Sequence, residues 1–125
     1  MGAKGFLDEL ARLGHKATLH DGNRITFPYS VPVGRFASQQ LRMGLTIGDD
    51  FPTTCPSGPH ISPPLLAIHP SNDLPHPAGG VHDSDYSAAV GGQWQYWSRP
   101  LPGWGQSDRT VRAYMAHIRA LFATQ

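Results

Sequence analysis

The chain has 125 residues, 39% hydrophobic and 15% charged, with 14 Gly and 12 Pro spread along it. That length makes one domain, and the scarcity of charge with so much Gly and Pro excludes a coiled coil, a long helical bundle and a solvated charged tail. Ten basic against nine acidic side chains leave a formal charge of +1, so nothing electrostatic points to nucleic acid or an anionic membrane.

Residues 3–13 carry the first periodic pattern. Phe6, Leu7, Leu10 and Leu13 fall on one face and Lys4, Asp8, Glu9 and Arg12 on the other, with Gly14 at the stop. This predicts a short amphipathic helix that needs a docking surface to be stable. Alternation in Lys16–His20 and Arg24–Phe27 around Asp21-Gly22 predicts a hairpin over 16–29. Residues 41–47 alternate cleanly and predict a strand. Residues 60–68 predict a fourth, placed at an edge or broken by Pro63-Pro64. From 70 to 105 no period survives, but Trp94-Gln95-Tyr96-Trp97 argues for a long loop pinned by its aromatics rather than disorder. Last comes a helix over 109–122, with Ser107 or Asp108 as cap and Val111, Tyr114, Met115, Ile118, Leu121 and Phe122 on one stripe. The expected fold is a single α+β domain: N-terminal helix, antiparallel meander of about four strands, long ordered loop, C-terminal helix.

One cysteine, Cys55, makes no internal disulfide. The first residues lack the apolar run of a signal peptide, and the longest apolar stretch, 65–68, is too short for a bilayer. A cytoplasmic protein is expected.

Four segments together resemble a known family. Phe51-Pro52-Thr53-Thr54-Cys55-Pro56 after the clearest strand is similar to the F/Y-P-x-x-x-P segment of ubiquitin-conjugating (E2) domains. His76-Pro77-Ala78-Gly79-Gly80-Val81 resembles their HPN…G-x-I approach to the active site. Trp104-Gly105-Gln106-Ser107-Asp108-Arg109-Thr110-Val111 resembles the start of the long helix beyond it. Trp94-Gln95-Tyr96-Trp97-Ser98-Arg99 is similar to a W-Q-x-W-S-R stretch in divergent prokaryotic E2-like families. The resemblance covers most of the chain and implies a UBC-like fold. It implies work in a bacterial ubiquitin-like conjugation pathway of the kind associated with phage defence. The implied partners are a ubiquitin-like protein and an E1-like adenylating enzyme, with no cofactor, nucleic acid or membrane.

The chain departs from that family where the chemistry lies. A conjugating enzyme needs a cysteine to carry the ubiquitin-like C-terminus as a thioester. Counting forward from His76-Pro77, that place holds His82; counting back from Trp104, it holds Tyr96; and Ala78 replaces the oxyanion-stabilising Asn. Cys55, with no basic neighbour in sequence, reads as a small hydrophobe. Ser98 is the candidate non-cysteine nucleophile, with His82, His76 or Asp83 as candidate base, against a plain backbone-bonding role for the hydroxyl. Trp94, Tyr96, Trp97, Arg99 and Trp104 are candidate docking residues, and core packing is the competing reading for the aromatics. A catalytically inactive variant that only binds a ubiquitin-like protein or E1 is the alternative. His69, His76, His82, Asp83 and Asp85 supply ligand types for a third reading, a small metal-dependent hydrolase, though no pair has helical i, i+4 spacing and no metal site is assigned.

Overall fold

In the computed structural model, which describes residues 2–65, 81–97, 101 and 103–124, the chain opens with α1, Gly2–Arg12. Phe6 and Leu10 are fully buried on its inner face, and Leu7 and Leu13 pack at the margin of the core. Gly14 ends the helix at φ +89°. The Gly14 N–H donates to Ala11 O, and the His15 N–H to Leu10 O, both at 3.0 Å. This paired closure needs a left-handed residue, which glycine supplies without a Cβ clash.

Six strands follow: β1 (Thr18–His20), β2 (Arg24–Ser30), β3 (Gln40–Thr46), β4 (Ser57–Ser62), β5 (Val81–Asp83) and β6 (Gln95–Trp97). They form one sheet in the order β1-β2-β3-β4-β6-β5, every neighbouring pair antiparallel. The first four are the expected meander. Between β5 and β6 lies α2 (Tyr86–Val90), and a single 3₁₀ turn (Trp104–Gln106) precedes α3 (Val111–Thr124).

Three expectations need correction. The segment 70–105 is not simply a long loop, because its described part holds two strands, a helix and the start of a 3₁₀ turn. Strands of three residues are too short to show alternation between so many glycines and prolines. The sheet therefore has six strands rather than about four. Of the two readings of the fourth strand the break holds and the edge does not: β4 is interior and ends at Ser62, directly before Pro63-Pro64. Within β4, Gly58 and Pro59 together oppose Leu45, since Gly44 pairs with His60 and Thr46 with Ser57. The missing Pro59 N–H thus falls in a bulge. Finally, α3 is capped by Thr110, whose Oγ1 accepts the Ala113 N–H at 3.0 Å. Ser107 instead donates to Trp104 O at 2.8 Å and accepts the Arg109 N–H at 3.1 Å.

Strand alternation divides the molecule. Ile25, Phe27, Tyr29, Leu41, Met43, Leu45, Ile61 and Trp97 point to one side, where they form the main core with Phe6 and Leu10 of α1 and Val111, Tyr114, Ile118, Leu121 and Phe122 of α3. The opposite face carries Arg24, Thr26, Arg42, Gly44, Thr46, His60 and Tyr96, and there α2 docks through Tyr86, which is fully buried. Gly44 makes that docking possible. A Cβ at this position would lie 2.5 Å from Tyr86 Cε2, so only a bare backbone lets the ring rest on the sheet.

Candidate functional site

The predicted docking aromatics divide between the two faces. Trp97 is fully buried in the main core, its ring 5.5 Å from Phe122 and its Nε1 donating to Gln95 Oε1 at 2.8 Å. Trp104 packs near Phe51 and Tyr114, with centroids 6.1 and 6.5 Å away, and donates from Nε1 to Pro52 O at 3.0 Å. These two pack against the final helix, in line with the competing core-packing reading. Trp94 and Tyr96 are on the other face: the Trp94 ring is tilted against Tyr86 at 5.4 Å and Tyr96 lies 4.6 Å from His60. The sheet separates the pairs, so the four do not line one groove. Ser98, Arg99, His76 and His69 lie outside the described residues. His82 sits in β5, paired in register with Tyr96.

Cys55 is half-buried at the edge of the core. Burial pushes its thiol up, and a hydrogen bond from the Leu101 backbone N–H pulls only part of the way back. At neutral pH it is a protonated thiol, a poor nucleophile. The proline segment holding it runs beside Leu101 and Trp104.

The second face holds a polar cluster that sequence reasoning missed. One register row crosses all six strands, Thr18, Thr26, Gly44, His60, Tyr96 and His82. At its centre the His60 ring is 6% exposed and lies between two aromatic rings, Tyr86 at 4.2 Å and Tyr96 at 4.6 Å, both nearly parallel to it. His60 Nδ1 is 2.7 Å from Ser84 Oγ. Burial brings the imidazole pKa down to about 4; the Asp85 carboxylate opposes that shift and the Arg24 guanidinium adds to it. The ring is neutral at physiological pH. Tyr86 shares a hydrogen bond with Thr46 Oγ1 at 3.0 Å, and burial pushes its phenol up to about 12.

Charged groups frame this cluster. Arg24 Nη2 donates to Asp85 Oδ2 at 2.7 Å, tying the start of α2 to β2 and holding that carboxyl below its usual range. The Arg42 guanidinium lies 5.3 Å from the Trp94 ring centroid. A cavity of about 480 Å³ opens beside Arg24, lined by Leu19, His20, Asp21, Arg24 and Ala89. Gly44 inside a strong strand was the signal in sequence that something large approaches the sheet there. Nothing local pairs Ser84 with His60.

Among the described residues, no group of three or more His, Cys, Asp or Glu side chains converges closely enough to hold a metal ion. No helix among them is long and apolar enough to cross a membrane. Comparison of the chain with known protein families, curated proteins and solved structures finds no match.

Proposed function

We propose that the chain is an E2-like, UBC-fold component of a bacterial ubiquitin-like conjugation pathway that works without a thioester-carrying cysteine. The observation that carries this reading is the contact between two of the segments behind the resemblance. The Trp104 indole donates to Pro52 O at 3.0 Å and packs by Phe51, so the proline segment after β3 and the lead-in to α3 form one packed unit. An N-terminal helix, an antiparallel meander and a C-terminal helix in that order support it further. The half-buried, protonated state of Cys55 favours action through binding, or through a hydroxyl acceptor, over thioester relay. In this role the domain meets a ubiquitin-like protein and an E1-like adenylating enzyme.

The test uses the full chain with an E1-like enzyme and ubiquitin-like protein from the same source, plus ATP. The expected result is co-elution of the ubiquitin-like protein on size exclusion, with no reductant-sensitive adduct on a gel. An adduct that reductant removes and Cys55→Ser abolishes would show ordinary thioester chemistry and overturn the thiol-free part. Failure of the chain to associate with either partner overturns the pathway assignment.

A further inference from the structure

Ser84 and His60 are an oxygen–imidazole pair at hydrogen-bond distance that the reading above does not use. Ser84 lies between β5 and α2 and is half-buried, while its partner ring is enclosed. Its Oγ stands 2.7 Å from His60 Nδ1 and also accepts the Tyr86 backbone N–H at 3.1 Å. In the tautomer that carries its proton on Nε2, the serine hydroxyl donates to Nδ1 while its oxygen accepts the amide. The ring cannot swing away, because Tyr86 and Tyr96 hold it on both sides at 4.2 and 4.6 Å. Tyr86 in turn is fixed by its hydrogen bond to Thr46 and its fit over Gly44. A serine hydroxyl aimed at a neutral, immobilised imidazole is the first half of an acyl-transfer site.

We propose that Ser84 is an acyl-accepting nucleophile and His60 its general base. The Ser84 oxygen attacks the carbonyl carbon of an activated ester or thioester. As the new C–O bond forms, the hydroxyl proton passes to His60 Nδ1. Collapse of the tetrahedral intermediate breaks the bond to the leaving oxygen or sulfur, which takes the proton from Nδ1. The enclosed ring is a weak base, since burial opposes the imidazolium that must form briefly. The substrate class follows: acyl groups on good leaving groups, thioesters above all, rather than amides.

The assignment does not depend on the conjugation reading, because a small activated ester probes it with no ubiquitin-like protein present. Full-length protein is treated with p-nitrophenyl acetate, and the site of acetylation is mapped by mass spectrometry. The expected result is one acetyl group on Ser84, absent from Ser84→Ala. The rate at that serine should fall at least tenfold in His60→Phe, which keeps an aromatic ring between the two tyrosines but offers no base. Ser84→Cys guards against misfolding of the alanine variant: it should be acylated at the same position and lose that reactivity when combined with His60→Phe. Acetylation spread over several serines, no acetylation of Ser84 in the folded wild type, or a Ser84 rate indifferent to His60→Phe overturns the proposal. None of these outcomes bears on binding of a ubiquitin-like protein, so the two readings fail separately.

Discussion

His60 shows how one side chain sets a pH limit on the fold. Its folded-state pKa of about 4 lies below the ordinary value of 6.5. Between those two pH values the unfolded chain binds a proton here that the folded chain refuses. Stability from this group is therefore complete above pH 6.5 and is lost as pH falls towards 4, by up to about 3 kcal/mol. Burial lowers His15 in the same direction, so the check is a difference. Urea unfolding of wild type and His60→Phe at pH 7.5, 6, 5 and 4 should give a flatter profile for the variant. Parallel profiles would mean that the ring does not titrate in this way. Cys55 makes the opposite point about reading residues in isolation. Its thiol reads as a small hydrophobe in sequence, and burial keeps it so, but its neighbour across space, Leu101, is 46 positions further along the chain.

At the scale of elements, α2 is five residues long and cannot hold a helical form by itself. Three anchors keep it in place: Tyr86 on the sheet, the Arg24–Asp85 ion pair, and the Ser87 hydroxyl accepting the Trp94 N–H at 3.1 Å. The first depends on Gly44. Gly44→Val puts side-chain atoms where the Tyr86 ring lies, and overpacking of this kind costs about 1–3 kcal/mol. The expected outcome is a lower urea midpoint together with a rise of the His60 pKa towards 6.5 on NMR titration, because the stacked ring that shields it is pushed off. A destabilised variant with an unchanged His60 pKa would show that Tyr86 is not what dries the imidazole. This element was hidden in the sequence for a plain reason: neither a five-residue helix nor a three-residue strand spans enough chain for a period to register.

Across the whole molecule, α3 is the piece that ties early and late chain together. Phe122, fully buried, stacks on Tyr29 of β2 at 5.8 Å and packs against Trp97 of β6 at 5.5 Å. Removing the ring leaves a cavity shared by two strands and a helix. Phe122→Ala should cost about 3–5 kcal/mol, a large share of the 5–15 kcal/mol typical of such a domain. Chemical denaturation gives the loss, and a red shift of tryptophan emission in the folded baseline reports water reaching Trp97; Phe122→Leu should keep most of the stability. A loss below about 1 kcal/mol would mean the packing between sheet and α3 does not rest on this residue.

α1, β2, β3 and α3 were determined by sequence alone, because each repeats its apolar spacing often enough to name its own conformation and inward face, and the Asp21-Gly22 turn marked β1 as the hairpin partner of β2. The insertion of β6 between β4 and β5, the interior place of β4 and the separation of Trp94 from Trp97 were decided only in three dimensions. So was the meeting of Ser84 with His60, 24 positions apart. Spacing along a chain reports which way a side chain points within its own element. Which strand becomes whose neighbour depends on how the whole set of apolar faces is covered, and that sum is taken only when the chain closes on itself.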